Sequence, residues 1–529
     1  MRDVASESRM DTNEPLSGTI EMADFPVVGQ QPLSPPIPTP PVSESETQAG
    51  DVSPSVPSPS QDNQFKPQGV VPEIVPSMPQ EGGYSGDTGN PLMRRLVMVG
   101  AFIGVLLILL LIGKFVLGII TSNKEVTITY WGLWENEAIV KNVITDFEAK
   151  NPKIKIKYLK QSNKQYREKL QAAIARGEGG PDVFRFHNTW IPMLKNDLLP
   201  SPKTGMNTQD FTASFYPIAK NDLVAGSTIF GVPMMIDGLG LYYNEDLLAS
   251  AGVKAPTTWE ELLSIIPKLR VSNGATITTA AAALGTTNNI ENFSDIVATM
   301  MMQNGADLRN PTSKEAEETF IFYRKFSDPT DPVYTWNESL DNSIYAFAMG
   351  RVAMIFAPSW RAFDIKEMSK AGNPTLRFKI VPIPQLPGNT VTWASYWVEG
   401  ASSKSKYPEQ SWKFIQYLTS KEGESKLYTE ASRSRLFGEP YSRVDLSASV
   451  VGDDYVEAYI KQAQNAKSFP LASRTFDNGL NDKLIKYLED ALNSAAKGTA
   501  PAQALQTMAA GFRQVFQTYG LSTGSAPTQ

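Results

Sequence analysis

From Leu96 to Gly113 the chain carries no charge, and after Lys114 it stays apolar to Ile120. An apolar run near the roughly 20 residues that a bilayer core requires, with no polar face at any helical spacing, reads as a transmembrane helix over residues 94–120. A cleaved signal peptide has a shorter apolar region of about 7–15 residues close to the N-terminus, and no small-residue cleavage site follows this run. Lys114 stands within a turn or two of the end, where its stem can reach the interface. Arg94 and Arg95 precede the run and Lys124 alone follows it closely, so the positive-inside bias puts the N-terminus in the cytoplasm and the large C-terminal part outside.

The run divides 529 residues into unlike parts. Residues 1–93 hold 16 of the 38 prolines and none of the tryptophans, with Arg2, Arg9 and Lys66 set against 13 acids. Such acidic, Pro-rich composition buries too little apolar surface to offset ordering entropy, which predicts a disordered cytoplasmic tail. The part from about Glu125 onward, with Lys124 counted in, contains all nine tryptophans and 43 Lys and Arg against 42 Asp and Glu. A balance of about +1 leaves no electrostatic footprint for nucleic acid. The complete lack of cysteine rules out disulfides, thiolate metal sites, a cysteine nucleophile and attachment of lipid to cysteine.

Within the outer part, Glu125–Trp131 alternates polar and apolar residues and predicts a strand, followed by helical spacing over Asn136–Lys150. A second strand is expected at Lys153–Tyr158, a helix around Gln165–Ala175, and a short strand at Asp182–Phe186 after the turn Gly177–Pro181. Strands alternating with helices predict βαβ units and a mainly parallel sheet. Further on, Thr257 or Thr258 can cap a helix with Glu260 or Glu261 completing a capping box, and Leu480–Ala496 has helical spacing that ends before Lys497-Gly498. Trp259, Trp412 and Met300–Met302 read as core, and the tail from Leu521 to Gln529 as frayed.

Four blocks, in order, carry a resemblance. They are the opening strand ending in Trp131 with the helix closing on Phe147-Glu148-Ala149-Lys150-Asn151-Pro152 and the later Gly179-Gly180-Pro181-Asp182-Val183; the stretch Gly231–Leu263; Ala346–Met354 with Ala357-Pro358-Ser359-Trp360; and Ser403–Ile415. Together they resemble the bacterial extracellular solute-binding proteins of family 1, the sugar-binding, maltose-binding-protein-like components of ABC transporters. The resemblance implies an α/β, type II periplasmic-binding-protein-like fold of two lobes joined by a hinge, here preceded by the transmembrane helix and the disordered tail. It divides the domain 125–520 into a first lobe of about 125–235 and 392–440 and a second of about 238–388 and 441–520.

A sugar presents hydroxyl rims and apolar C–H faces, so its pocket needs flat aromatic platforms and a few polar groups at the rim. Trp131 and Trp134 follow the first strand, where C-terminal strand ends face a cleft, with Glu135 beside them. For Trp134 and Glu135 the alternatives are a site role or packing and a solvated first-turn acid. By the resemblance, Phe186 takes the place of an aromatic sugar contact, Asp237 that of a sugar-binding glutamate, and Trp360 that of a ligand-stacking tryptophan. Thr189 stands where the family has an acid. Trp393, Tyr396 and Trp397 suggest a ligand wall, with alternation setting Trp393 and Trp397 on one face and Tyr396 on the other. Trp190 is either a platform or a cover on the core. His187, the only histidine, has no partner for a triad or a metal and reads as a polar contact.

The ligand set expected is therefore Trp134, Glu135, Phe186, Asp237, Trp360, Tyr396 and Trp397, with no cofactor, no metal and no catalytic residue. The expected function is a membrane-anchored, monomeric binding protein that closes on a sugar or oligosaccharide and delivers it to an importer. The chain has no phosphate-binding Gly-x-x-x-x-Gly-Lys-[Ser/Thr] loop and one membrane span, so the ABC permease and ATPase would be separate polypeptides. The alternatives are a ligand sensor or scaffold signalling through the helix to the tail, binding of a non-sugar solute, or a carbohydrate-cleaving enzyme using two of Glu135, Asp237 and Glu399.

Overall fold

The computed structural model describes residues 91–122, 125–203, 205–274 and 276–522. Residues 1–90 of the expected tail, and 523–529 of the frayed end, lie outside the described residues. Pro91–Ser122 is one helix of 32 residues. Its described apolar side chains stand exposed, Phe102 at 70% and Leu111 at 66%. Several of its other side chains are outside the described set, and among the described residues no helix is long and apolar enough to cross a membrane.

The expected βαβ pattern builds the first sheet. Strands Val126–Gly132, Ile154–Lys160 and Val183–His187 are joined by the helices Glu137–Lys150 and Tyr166–Arg176. The first strand pairs in parallel with both others, Val126 opposite Ile154 and Tyr130 opposite Val183. The two helices cover the sheet because their apolar residues recur at helical spacing: Val140, Val143 and Phe147 on one, Tyr166, Leu170, Ala173 and Ile174 on the other, all buried. The sheet does not stay parallel, however. Trp397–Ser402 lies antiparallel against Val183–His187 and in turn pairs antiparallel with Leu198–Leu199 and Val232–Pro233.

The second sheet has the order Phe378–Val381, Gly240–Asn244, Val352–Ala357, Thr276–Ala282, Val271–Asn273. Gly240–Asn244 is antiparallel to both neighbours, while Thr276–Ala282 and Val352–Ala357 are parallel. Both sheets are thus mixed, where the sequence predicted a mainly parallel one. The physical reason is the crossing. A strand whose chain arrives from the other lobe enters at the edge where the βαβ strands leave, so it must run against them. Trp397–Ser402 and Gly240–Asn244 are the two strands that arrive this way.

The crossings run side by side. Residues 236–239 pass from the first sheet to the second, and residues 382–396 return. Gly238 and Ala394 form an antiparallel bridge, and the Ser395 N–H donates to the Asp237 carbonyl at 2.9 Å. Thr392–Trp393 also pairs in parallel with Ala466–Lys467, a third connecting segment. Arg443 forms an antiparallel bridge with Phe215.

Of the two possible caps before Trp259, Thr258 is used, and with Glu261 it forms a reciprocal capping box on Trp259–Leu269. Trp259 stacks on Phe356 at 5.6 Å and donates from its indole nitrogen to Gln303, and Trp412 donates to the Leu199 carbonyl. Both are core, as are Met300 and Met301. The last expected helix spans Leu480–Ala496.

Candidate ligand-binding site

The parallel strands of the first sheet deliver their C-terminal ends to one edge, and the aromatic residues collect there. Trp134 follows the first strand, and His187 ends the third strand directly opposite Trp397 in the register. Trp397 is the hub: its ring meets Trp134 at 5.5 Å, His187 at 5.2 Å and Trp190 at 5.4 Å, each close to perpendicular. Edge-to-face pairs of this kind are worth about 0.5–1.5 kcal/mol each beyond burial, so the cluster holds its rings in fixed orientations. Trp134, 37% exposed, is its outermost member. Trp190 is buried, serving as cover for the core.

His187 supports this edge from below. Nδ1 lies 2.8 Å from the Thr189 hydroxyl and faces the Thr189 N–H, while Nε2 lies 3.0 Å from the Ser395 hydroxyl. The acceptor role at Nδ1 makes Nε2 the protonated nitrogen. Burial pushes the imidazole down to about 3, so it is neutral at physiological pH. Thr189 in turn accepts from the Asn481 amide at 2.7 Å.

The second sheet contributes the turn after Val352–Ala357. Asp237, in the first crossing, accepts from the Ser359 N–H at 3.1 Å and the Ser359 hydroxyl at 2.7 Å, and from the Gly238 N–H at 2.8 Å. The carboxylate therefore joins the crossing to the turn that carries Trp360. Trp360 is half-buried, and the Arg361 guanidinium lies over its ring at 4.1 Å. Arg361 is itself buried and bonded to Asp364 and Glu291.

Burial raises Asp237 to about 7, against the opposing effect of its three hydrogen bonds. A carboxyl raised on folding binds its proton more tightly in the native state, so its contribution to stability declines as pH rises from its ordinary 3.8 through about 7. His187 has the opposite sign: its proton is disfavoured by folding, so its contribution is lost as pH falls from 6.5 towards about 3. Asp237→Asn is expected to gain on the wild type progressively between pH 4 and 7, with a slope of at most about 1.4 kcal/mol per pH unit. Urea unfolding across that range measures it; a constant difference between the two proteins would mean that Asp237 titrates normally.

Three of the expected site residues have partners inside the protein. Glu135 is 4% exposed, and Arg185 Nη1 bonds both its oxygens at 2.8 and 2.7 Å. Phe186 is wholly buried, under Gly231 and Gly400; a β-carbon at either would lie 2.9 or 2.7 Å from its ring. Tyr396 is buried and donates its hydroxyl to Asp222 at 2.8 Å, so it faces away from the ring of Trp397, which is half-buried, and the strands are interrupted between Trp393 and Trp397. Asp222 also accepts from Asn188 and Ser468, tying three segments together.

Arg185 is a residue that reading the sequence for motifs passed over. It sits in Val183-Phe184-Arg185-Phe186-His187, where a cation in a wholly buried strand is itself a signal of a buried partner. Its Nε bonds Glu399 at 2.8 Å, and Tyr130 donates to the same Glu399 oxygen at 2.9 Å. Burial works to raise Glu135, but the charge and hydrogen bonds of Arg185 hold it below the usual carboxylate range. Burial raises Glu399, with Arg185 offsetting it only in part, and its second oxygen has no hydrogen-bond partner among the described residues. Arg185 thus joins both carboxyls, outweighing burial at Glu135 and only partly offsetting it at Glu399. Two of the three acids considered for bond cleavage thus share one buried arginine, and Glu135 also lines a small cavity of about 10 Å³ with Met234, Arg435 and Glu439.

One cavity of about 310 Å³ lies elsewhere, lined by the loop Gly177–Asp182 together with Ser405 and Tyr407. It is at the N-terminal end of the third strand, away from the aromatic edge. Asp182 there is already engaged by the Thr129 N–H and the Ser405 hydroxyl.

A family model described as bacterial extracellular solute-binding protein matches residues 142–434. The multiple sugar-binding protein of Streptococcus mutans is 23% identical to this chain over 325 residues, 58% of this chain and 74% of that protein. Among solved structures, a cyclo/maltodextrin-binding protein complexed with maltotetraose aligns with a TM-score of 0.60 at 19% identity, over 75% of this chain and 98% of that one. An ABC substrate-binding protein of Listeria monocytogenes in complex with cycloalternan aligns with a TM-score of 0.56 at 20% identity, over 75% and 100%. At such identities the structural likeness speaks for the fold, an α/β architecture of two lobes.

Proposed function

We propose, from the premise that this chain belongs to the bacterial extracellular solute-binding protein family, that its two lobes close on a sugar or oligosaccharide and present it to a separate ABC permease and ATPase. The observation that carries this reading is the aromatic edge built on Trp397, with Trp134 exposed at its rim. Flat rings held in fixed orientations match the apolar faces of pyranose rings, and the relatives' named ligands are of that class. In this reading Trp134 and Trp397 are platforms on the first lobe and Trp360 the platform on the second. Asp237 couples the crossing to the Trp360 turn through Ser359. Glu135, Phe186 and Tyr396 stiffen the wall from behind.

The lobes comprise about 125–235 with 392–440 and about 238–388 with 441–520, the Phe215–Arg443 bridge extending the first lobe's share past 440. Ligand bridging the lobes stabilises the closed form, which the permease recognises. The helix Pro91–Ser122 anchors the protein, with the N-terminus cytoplasmic; contiguous exposed side chains such as Phe102, Leu107 and Leu111 call for an apolar surrounding.

Thermal unfolding of the full chain in detergent, titrated with maltose, mannobiose and maltotetraose, tests the reading, because a bound ligand raises apparent stability with concentration. A rise with at least one neutral sugar is expected. Stabilisation by charged solutes alone would overturn the carbohydrate assignment. Trp134→Ala is expected to weaken binding about tenfold while moving the melting temperature of the free protein little, since the ring is largely at the rim.

A further inference from the structure

Glu424, in the helix Lys421–Ser432, is 3% exposed, and each arginine near it has a carboxylate of its own. Arg443 holds Asp445 at 2.9 and 3.1 Å, Arg435 holds Glu439 at 2.6 Å, and Arg185 holds Glu135 at 2.7 Å. Glu424 is met instead by a hydroxyl. Its Oε1 lies 2.5 Å from Ser442 Oγ, and the same Oγ lies 2.8 Å from the Pro233 carbonyl oxygen. A hydroxyl carries one hydrogen, and a carbonyl only accepts. If Ser442 gave its hydrogen to an ionised Glu424, two bare oxygens would face each other at 2.8 Å across Ser442 and Pro233. All three oxygens are served when Glu424 carries a proton, donates it to Ser442 Oγ, and leaves the Ser442 hydrogen for Pro233.

Burial acts in the same direction. It pushes the Glu424 carboxyl well above its ordinary 4.5, and the Ser442 hydrogen bond and the charge of Arg443 oppose it only in part, while Asp445 adds to it. Tyr216 faces the same carboxyl, and burial followed by Glu424 pushes it up to about 12, so it stays neutral. Tyr428 and Tyr441 stack beside it at 4.8 Å, both phenols raised by burial.

Ser442 closes a segment, 433–443, that touches the layers of both sheets. Phe437 is buried between Phe363 at 4.4 Å and Tyr455 at 5.4 Å, and the Arg435 guanidinium lies over Phe363 at 5.3 Å. Phe363 is on the helix Arg361–Gly372, which follows Val352–Ala357 of the second sheet. The Pro440 carbonyl then accepts from the Ile236 N–H of the first crossing at 2.9 Å. Ser442 finally reaches Pro233 of the first sheet, whose strand pairs with the one that carries Trp397. Glu424, Arg435, Glu439 and Glu135 all line the small cavity of about 10 Å³ beside this segment. Two of its lining residues have a buried atom without a hydrogen-bond partner among the described residues, Glu424 Oε2 and Arg435 Nε.

We propose that Glu424, Ser442 and Pro233 form a proton-operated latch on the segment 433–443. With Glu424 neutral, the relay from carboxyl to hydroxyl to carbonyl fastens the segment to the first sheet. When the proton leaves to base in the solvent, Glu424 can only accept. The Ser442 hydrogen then turns to it and away from Pro233, and Arg435 is drawn across the cavity to the new carboxylate and off Phe363. Contacts of the segment to both sheets loosen together, so the lobes move more freely at high pH. Nothing in the latch depends on the identity of the solute.

The test uses the full chain in detergent as wild type, Glu424→Gln and Ser442→Ala. Glutamine keeps a donor for Ser442 and cannot ionise. The infrared difference between wild type and Glu424→Gln at pH 7 should contain the C=O band of a protonated carboxylic acid, fading as pH rises. Trypsin cleavage after Arg433, Arg435 and Arg443, divided by the rate for Glu424→Gln at the same pH, should rise several-fold for wild type between pH 7 and 9 and be high at both for Ser442→Ala. A carboxyl raised on folding contributes stability that is full below 4.5 and lost as pH rises through its folded value, so Glu424→Gln should gain on wild type in urea unfolding above pH 4.5. Absence of the acid band at pH 7 would mean an ionised Glu424 and overturns the proposal. A band that is present, with a cleavage ratio that stays flat to pH 9, would make Glu424 a neutral core residue and no latch. Should Glu424→Gln not fold, wild type against Ser442→Ala carries the comparison: wild type should be cleaved far more slowly at pH 7 and almost equally fast at pH 9, and equal rates at both would sink the latch.

Discussion

Arg185→Ala is expected to destabilise the protein by about 3–5 kcal/mol, a large share of the 5–15 kcal/mol that holds a typical domain together. The side chain is 1% exposed and faces two carboxylates that are equally buried. Removing the cation leaves Glu135 without compensation in a dry interior and deprives Glu399 of its hydrogen bonds from Nε and Nη2. The loss is one of unpaired charge more than of volume. A triple replacement, Glu135→Leu with Arg185→Met and Glu399→Leu, should therefore recover most of the stability, since exchanging a whole buried ion cluster for packed apolar groups is often close to neutral. Urea unfolding of the wild type, Arg185→Ala and the triple variant measures this. A cost below about 1 kcal/mol for Arg185→Ala would mean that water reaches the carboxylates and that the edge is not dry.

Gly238→Ala should be comparably severe, for a steric reason. A β-carbon at Gly238 would lie 1.9 Å from the Trp393 carbonyl oxygen, and its neighbour is backbone of the return crossing, which has no rotamer to move into. The two crossings must separate, breaking the Gly238–Ala394 bridge and the bond from Ser395 to Asp237. Overpacking commonly costs about 1–3 kcal/mol where side chains can yield, and a backbone contact this close belongs at or beyond the upper end. Under the proposed closure of the lobes about these crossings, the variant should also show a changed ligand-induced change in compactness by small-angle scattering. Wild-type stability for Gly238→Ala would show that the crossings are not in contact in solution.

The local elements of the fold were legible in the sequence because local physics makes them. The spacing over Leu480–Ala496 predicted a helix with the bounds observed, and the capping box before Trp259 needed only the choice between Thr257 and Thr258. The mixed character of the sheets was not legible. Strand direction depends on the side from which the chain re-enters a sheet, and periodicity carries no such information. The aromatic edge was visible as composition near strand ends, whereas its geometry was not. Alternation placed Trp393 and Trp397 together, but the irregular step between them buries Trp393 in a different pairing and leaves Trp397 among His187, Trp190 and Trp134.

The charged residues divide in the same way. Glu135 and Glu399 read as candidate chemistry because nothing near them in the chain neutralises them. Their partner, Arg185, is 50 and 214 residues away. Asp237 was singled out as an acid in an uncharged run, and its partner Ser359 is 122 residues on. By itself, the sequence determined the helices, strands and caps, the apolar segment before the domain, and a family resemblance spread over four ordered blocks, all of which follow from short-range spacing. Only the tertiary structure decided which carboxylates are paired internally and which rings remain exposed. Those outcomes depend on contacts between residues far apart in the chain, where burial and pairing, not local pattern, set a side chain's role.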